Sequence, residues 1–171
     1  VARPCDSDQV RQVLDWALAQ GAVVIPYGGG TSVAGHINPP VDDRPVLTLS
    51  LGAMDRLLRL EPENRLARFG AGTPGPALEA QLREHGFRLG HYPQSWELST
   101  VGGWVASRSS GQQSLLYGRI EQLFAGARVE TPSGSWRLPT IPASSAGPDA
   151  REWLLGSEGR LGVITEVDVR I

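Results

Sequence analysis

The 171-residue chain contains no lysine, and all 16 of its basic side chains are arginines. This absence excludes a P-loop, because that phosphate-binding motif requires a lysine. An anion would therefore be bound by guanidinium groups or by backbone N–H groups. The formal net charge is −2, which makes anionic polymers unfavourable partners. We therefore expect no nucleic acid partner.

Cysteine is almost absent too, since Cys5 stands alone. A single cysteine excludes a disulfide framework and a thiolate metal cluster. The three histidines are scattered without ligand spacing, so the sequence predicts no metal site. No apolar run approaches the roughly 18–20 residues of a membrane span, and we expect no signal peptide. We expect a cytoplasmic setting.

Short strand patterns in pairs, separated by single helices, predict an α+β domain instead of a doubly wound parallel sheet. The first helix is expected after Asp6 or Ser7, with Gly21 ending it. Its apolar stripe comprises Val10, Val13, Leu14, Ala17 and Leu18. Strand patterns cover residues 22–26 and 46–51, two segments around the turn at 62–64, and a hairpin around 132–134. The last strand pattern runs to the end without a polar tail, so we expect one domain of a longer protein.

The segment Pro26–Val33, PYGGGTSV, follows a buried strand pattern directly. Three successive glycines let the backbone turn tightly and approach a ligand closely. Thr31 and Ser32 add hydroxyl donors, and such a loop forms a nest of N–H groups that suits a phosphate. The alternative is a tight connection without a ligand.

A second glycine-rich segment, GAGTPG over Gly70–Gly75, matches the pattern G-x-G-x-x-G. A Rossmann site would also need a parallel strand that ends in an acidic residue about 20 residues later. Here the next strand-like piece ends in Gly90-His91. Thr73 as a helix cap and Pro74 at the first helical position explain the motif structurally. We therefore interpret it as structural.

The third segment is STVGGWVASRSSG, residues 99–111, with its approach from His91. Glycine inside regular structure costs about 0.5–1 kcal/mol per residue, and a bound diphosphate would offset that cost. A short helix that begins near Ser99–Thr100 would offer free N–H groups to an anion. Arg108 suits either a phosphate or a structural salt bridge, and Trp104 is interpreted as a core residue.

A fourth segment, GSEGRLGVIT (156–165), repeats the combination of glycine and polar residues before the last strand. Separate loops of this kind in one small domain suggest an extended ligand with phosphates in its middle, which indicates a dinucleotide. No Ser-His-Asp, Cys-His or paired-carboxylate arrangement stands out. We therefore expect a cofactor to supply the chemistry.

The order of the motifs strengthens this interpretation. They are GGGTSV (28–33), P-x-S-x-x-x-S-T-V-G-G-W (93–104), R-x-S-G (108–111), Y-G-x-I-E (117–121), T-P-x-G (131–134) and G-S-E-G-x-L-G-V-I-T-E (156–166). This order resembles the FAD-binding domain of the vanillyl-alcohol-oxidase (PCMH-type) flavoproteins, and within them most resembles the alkyldihydroxyacetonephosphate synthases. The resemblance covers almost the whole chain from Ile25 onward.

The resemblance implies two α+β subdomains, 1–54 and 55–171, with FAD between them and a cap domain that this chain lacks. It places the diphosphate at the first loop. The implied cofactor-binding residues are Pro26, Tyr27, Gly28, Gly29, Gly30, Thr31, Ser32, Val33, Gln94, Ser95, Trp96, Glu97, Leu98, Ser99, Thr100, Gly102, Gly103, Ser107, Arg108, Ser109, Ser110, Glu158, Gly159, Arg160, Leu161, Gly162, Val163 and Ile164.

Some positions depart from the family pattern. Gln94 stands where aspartate is expected, and Ser107 and Arg160 stand where threonine is usual. Members that attach the flavin covalently often carry a histidine directly after the paired glycines of the first loop. Gly30 occupies that place here, and His36 follows six residues later. We predict a non-covalent cofactor.

The resemblance also implies an activity for the parent enzyme: exchange of the acyl group of acyl-dihydroxyacetone phosphate for a fatty alcohol, in ether-lipid synthesis. A small lipid substrate would bind through the cap domain. The parent enzyme would be cytoplasmic or associated with a membrane. Monomer and homodimer both stay as alternatives for its oligomeric state. The alternatives are an FAD-dependent oxidase or dehydrogenase of 2-hydroxyacids such as D-lactate or glycolate, and a nucleotide-binding module without catalysis. The catalytic residues stay unassigned.

Overall fold

The computed structural model describes residues 1–41 and 43–171, which form two β-sheets with helices packed around them. The strands are β1 (Val23–Tyr27), β2 (Val46–Ser50), β3 (Leu57–Glu61), β4 (Leu66–Gly70), β5 (Phe124–Thr131), β6 (Gly134–Leu138) and β7 (Val163–Arg170). The helices are α1 (Ser7–Ala19), α2 (Gly75–Arg83), α3 (Val101–Ser107), α4 (Ser114–Tyr117), α5 (Ile120–Leu123) and α6 (Ala150–Leu154). The predicted α+β class is confirmed.

The smaller sheet pairs β1 with β2 in parallel, in register from Val23 opposite Val46 to Tyr27 opposite Ser50. The larger sheet is antiparallel throughout, in the order β3-β4-β7-β5-β6. The predicted boundary at residues 54 and 55 falls in the connection between the sheets, and the two-subdomain division stays a prediction.

Helix α1 has an N-cap and a buried apolar face, as its sequence predicts. The Asp6 side chain accepts a hydrogen bond from the Gln9 backbone N–H, which caps the helix. Val10, Leu14 and Ala17 are buried, and the helix packs on β5 and β7. The predicted apolar stripe is wrong at Leu18, which is 64% exposed, because the core contacts end one residue earlier.

The two faces of the larger sheet differ in chemistry. Phe69, Val167 and Val169 are fully buried on the face that α3 helps to cover. The other face carries ion pairs, including two hydrogen bonds from Arg68 to Asp168 at 2.8 and 3.1 Å. These hydrogen bonds raise the pKa of Arg68. The sheet thus offers an apolar face to α3, which contacts β4 and β7.

The second glycine-rich segment, Gly70–Gly75, leads into α2, but the residue that caps the helix differs from the prediction. Pro74, and not Thr73, is the N-cap residue. The Thr73 hydroxyl donates to the Gly70 carbonyl at 2.7 Å instead. A Cβ on Gly72 would overlap the backbone carbonyl of Leu51. The glycines therefore permit close backbone packing, as the structural interpretation requires.

Within the described part of the chain, no helix is both long and apolar enough to cross a membrane.

Candidate functional site

A cavity of about 410 Å³ lies where the loop after β1, helix α3 and the segment before β7 meet. Gly29, Ser95 and Gly162, which lie far apart in the sequence, all line it. Its volume falls within the roughly 300–1,000 Å³ of ligand-binding pockets. The cavity therefore joins the three glycine-rich segments that the sequence singled out for a ligand.

Most residues of the implied cofactor site line this cavity. They are Pro26, Tyr27, Gly28, Gly29, Gly30, Thr31, Ser32, Val33, Ser95, Ser99, Thr100, Gly102, Gly103, Ser107, Ser109, Glu158, Gly159, Gly162 and Ile164. The remaining predicted residues lie outside the lining: Gln94, Trp96, Glu97, Leu98, Arg108, Ser110, Arg160, Leu161 and Val163. The assignment of individual residues to the cofactor stays a prediction.

The loop after β1 supplies backbone donors. Within residues 1–41 and 43–171, none of the six backbone N–H groups from Gly28 to Val33 donates to another protein group. Unpaired N–H groups in a turn form an anion-binding nest. Gly30 adopts a positive φ of 72°, and a Cβ there would overlap the Tyr27 hydroxyl. The loop thus needs glycine to keep this shape, and its donors suit a diphosphate.

Helix α3 does not offer the free N–H groups that the sequence interpretation expected. The N–H groups of its first two residues donate to the Thr73 and Ala71 carbonyls at 3.0 and 2.9 Å. The third donates to the Thr100 hydroxyl at 3.3 Å. The expectation of an anion site at this helix end is therefore wrong, because the neighbouring backbone and the cap already use these donors.

The hydroxyl groups of the cavity differ in what they can still donate. Ser99 Oγ accepts from Trp104 Nε1 at 2.7 Å, and Thr100 Oγ1 accepts from Gly103. Both keep their own O–H for a ligand. Ser107 instead donates to the Gly103 carbonyl at 2.8 Å. Ser99 and Thr100 are therefore better ligand donors than Ser107.

Neither of the predicted arginines lines the cavity. Arg108 pairs with Glu152 at 2.7 Å, as the structural alternative for it proposed, and Arg160 is exposed. No arginine lines the cavity anywhere in the described residues. Positive potential for an anion would therefore come from backbone N–H groups.

The loop before β7 is fixed to α3 and to the first loop. The N–H of Glu158 donates to the Ala106 carbonyl at 2.8 Å. The Glu158 carboxylate lies 3.6 Å from Nδ1 of His36, which also lies 3.1 Å from the Ser32 hydroxyl. Glu158 adopts a positive φ of 53°, which is unusual for a residue with a side chain. These contacts connect the cavity walls.

A second cavity, of about 430 Å³, is lined by residues 92–98 together with Gln112 and Gln113. Four predicted cofactor residues that miss the first cavity line this one: Gln94, Trp96, Glu97 and Leu98. Pro93 and Ser95 line both cavities. The 93–98 segment thus contributes residues to both cavities.

Sequence reasoning missed seven residues of the first cavity. They are Ala34, His36, Ile37, Leu51, Pro93, Trp104 and Ala106. Leu51 follows β2, whose end lies beside the end of β1 in the parallel pair. Ligand sites form at such carboxyl ends, so strand pairing was the signal for Leu51. Trp104 was correctly interpreted as core, at 2% exposure.

The buried histidine His91 borders the cavity without lining it. Its side chain is 1% exposed, and its Nε2 lies 2.8 Å from Ser109 Oγ. Burial lowers the pKa of His91 to about 4. The imidazole is therefore neutral near pH 7 and acts as a fixed polar group.

Comparison with known proteins identifies the family. The family model described as an FAD binding domain matches residues 1–138. The chain belongs to this family of PCMH-type FAD-binding domains. The cavity fits that assignment, since its free N–H groups and hydroxyl donors are the groups that a dinucleotide diphosphate requires.

The relatives of this FAD-binding domain include proteins named as synthases and as an FAD-linked oxidoreductase. The alkyldihydroxyacetonephosphate synthase of Caenorhabditis elegans is 38% identical over 173 residues, which cover all of this chain and 29% of the relative. The FAD-linked oxidoreductase YgcU of Escherichia coli K12 is 39% identical over 166 residues, 96% of this chain and 34% of the relative. A solved alkyldihydroxyacetonephosphate synthase structure superposes with a TM-score of 0.93 at 37% identity, over 98% of this chain and 30% of that one.

Relatives named as D-2-hydroxyglutarate and D-lactate dehydrogenases are more distant, at 31% and 32% identity. The FAD-binding domain thus spans about a third of the length of the curated relatives that it matches.

Proposed function

We propose that this FAD-binding domain serves an enzyme of the alkyldihydroxyacetonephosphate synthase type. The enzyme would replace the acyloxy group of acyl-dihydroxyacetone phosphate, released as a fatty acid, with the alkoxy group of a fatty alcohol. The supporting observation is that the whole chain matches the C. elegans synthase at 38% identity, with a cavity suited to a dinucleotide. FAD, when bound, would supply an electrophilic ring without net redox change.

The chain's own residues have a binding role in this proposal. The N–H groups of residues 28–33 bind the diphosphate, and the hydroxyls of Ser99 and Thr100 donate to further cofactor oxygens. The lipid substrate binds largely to the part of the enzyme that the relatives have beyond this domain. The parent enzyme works in the cytoplasm or at a membrane surface, and dimerisation would be a property of the whole enzyme.

We also propose that the cofactor is bound without a covalent bond. Gly30 replaces the histidine of the covalent pattern, and Cys5 is exposed and lies outside the cavity lining. His36 lines the cavity, but its Nδ1 contacts Ser32 and Glu158.

Absorption spectroscopy tests the cofactor. The purified protein with added FAD, after removal of the excess, is expected to retain bands near ~450 nm that are typical of bound flavin. Acid precipitation is then expected to leave the colour in the supernatant. A colourless protein would contradict FAD binding, whereas a coloured precipitate would contradict non-covalent attachment.

A second candidate is an FAD-dependent dehydrogenase or oxidase of 2-hydroxyacids. The specific observation in its favour is that relatives named as D-2-hydroxyglutarate and D-lactate dehydrogenases match the whole chain at 31% and 32% identity. Bleaching of the flavin in the parent enzyme by D-lactate or glycolate would favour this candidate. Bleaching by the acylated ketone phosphate, without reoxidation by oxygen, would favour the synthase.

A further inference from the structure

The contact between His91 and Ser109 joins a buried residue to a cavity residue. His91 is 1% exposed and packs edge-on against Trp104, with 5.0 Å between the ring centroids. Its Nε2 lies 2.8 Å from Ser109 Oγ. Ser109 lines the cavity and His91 does not. The histidine thus reaches the cavity through one hydroxyl group.

The two nitrogens of His91 have different surroundings. Nδ1 is buried and has no hydrogen-bond partner among the described residues. A neutral imidazole carries one N–H and one bare nitrogen. A buried N–H without an acceptor is rarer in proteins than an acceptor that lacks a donor. The missing acceptor at Nδ1 therefore favours the tautomer with the proton on Nε2, in which Ser109 Oγ is the acceptor.

This tautomer determines what Ser109 presents to the cavity. When Ser109 Oγ accepts from His91, its own hydrogen is left to donate elsewhere. The backbone of Ser109 is held as well, since its N–H donates to the Trp104 carbonyl at 3.0 Å and its carbonyl accepts from Ile120 at 3.4 Å. The backbone contacts thus hold Ser109 in place, and its hydroxyl is a donor toward the cavity in the Nε2-protonated tautomer of His91.

We propose that His91 is a positioning residue that holds the Ser109 hydroxyl as a hydrogen-bond donor for an acceptor oxygen of the bound FAD. The assignment rests on the proposed cofactor site and adds to it a residue that does not touch the cavity. Ser109 contacts the cofactor, and His91 acts through it. The neutral state that burial imposes on the imidazole keeps one nitrogen bare near pH 7.

The tautomer can be measured without any cofactor. Two-bond ¹H–¹⁵N correlation spectra of the protein at pH 7 distinguish a protonated from a bare ring nitrogen. We expect protonated Nε2 and bare Nδ1 at His91. A proton on Nδ1 would overturn the proposal, because Ser109 would then donate to His91 and have no hydrogen for a ligand.

A double-mutant cycle measures the coupling through FAD affinity, read from quenching of flavin fluorescence. Ser109→Ala and His91→Leu are each expected to raise the FAD dissociation constant by roughly fivefold, the value of one ordinary hydrogen bond. The double variant should bind no more weakly than Ser109→Ala alone. If the dissociation constant of the double variant rose by the product of the two single increases, the proposal would be overturned.

Further variants separate positioning from damage to the fold. His91→Gln can place an amide N–H near the position of Nε2 and is expected to restore most of the affinity that His91→Leu loses. His85→Leu and Ser145→Ala, at exposed positions outside the cavity, should leave affinity unchanged. Failure of the unsubstituted protein to bind FAD would instead contradict the proposed function, and the tautomer measurement would still decide the state of His91.

Discussion

Gly29 in the first loop packs directly against the backbone of Leu98, so that a Cβ at position 29 would overlap the Leu98 carbonyl oxygen. Two segments that are far apart in the sequence thus meet backbone to backbone. Gly28 makes a similar approach, since its Cβ would lie 2.5 Å from Thr100 Oγ1. The glycines of the loop therefore serve the contact between cavity walls as well as the approach of a ligand.

The Gly29→Ala substitution tests this contact. The neighbouring atoms are backbone and cannot rotate away, so the loop must shift at a cost of about 1–3 kcal/mol in the free energy of unfolding. We expect the FAD dissociation constant to rise several-fold, because the same loop carries the free N–H groups. Urea unfolding and fluorescence titration give the two quantities.

Gly52→Ala is the matched control for that substitution. The nearest atom to a Cβ there is Ser50 Oγ, at an ordinary 3.8 Å. We expect changes in unfolding free energy of no more than about 0.5 kcal/mol, as for surface positions in general. Equal losses in the two variants would contradict a specific role for the Gly29 contact.

The sequence predicted the cavity segments because glycine and hydroxyl residues cluster locally along the chain. The Pro26–Val33 loop and the 156–165 segment were found this way, and both line the cavity in the structure. Local composition does not show which N–H groups the rest of the fold uses. The N–H groups at the start of α3 pair with Thr73 and Ala71, which are about thirty residues away in the sequence.

The Gly70→Ala substitution distinguishes a structural glycine from a ligand-binding one. A Cβ on Gly70 would overlap the Met54 carbonyl, and Gly70 lies outside the cavity lining. We expect a loss of about 1–3 kcal/mol in unfolding free energy. FAD affinity, measured well below the unfolding temperature, should be unchanged. Lost affinity with unchanged stability would instead support a Rossmann-like role for the G-x-G-x-x-G motif.

The GAGTPG motif of residues 70–75 has the spacing of a dinucleotide fingerprint without being part of the cavity. Spacing alone does not show what lies against each glycine. Gly72 and Gly75 pack on Leu51 and Trp96, so the protein itself occupies the space that a pyrophosphate would need. Such contacts arise from tertiary packing, and the missing parallel strand was the signal available in the sequence.

The ion pair between Arg68 and Asp168 is expected to contribute to stability. Asp168→Asn removes the charge but keeps the shape, and the side chain of Asp168 is 8% exposed. Because Arg68 is partly accessible to water, we expect a loss of about 2 kcal/mol, below the 3–5 kcal/mol of fully buried pairs. Thermal or urea unfolding measures this loss.

Asp15→Asn provides the contrast. Asp15 pairs with Arg11 at 2.7 Å, but its side chain is 63% exposed. Exposed pairs contribute little, so a change within about 0.5 kcal/mol is expected. If both variants lost the same stability, burial of the sheet pair would not explain its effect.

The lowered pKa of His91 predicts a pH dependence of folding stability. Its pKa is about 4 in the folded protein, against 6.5 for the free side chain. The unfolded chain therefore binds the additional proton between these values, and stability falls as pH falls from about 7 to 4. A shift of this size corresponds to about 3 kcal/mol over the window. Urea unfolding at a series of pH values measures the decrease.

Carboxylates also titrate in acid, so the histidine contribution must be isolated by difference. His91→Gln has no titrating group at this position and keeps a polar side chain there. The stability of the unsubstituted protein relative to this variant is expected to fall by about 3 kcal/mol between pH 7 and pH 4. Parallel pH curves for the two proteins would mean that the imidazole is protonated in the folded state as readily as in water. A neutral His91 that donates to Ser109 through Nε2 would then be untenable at mildly acid pH.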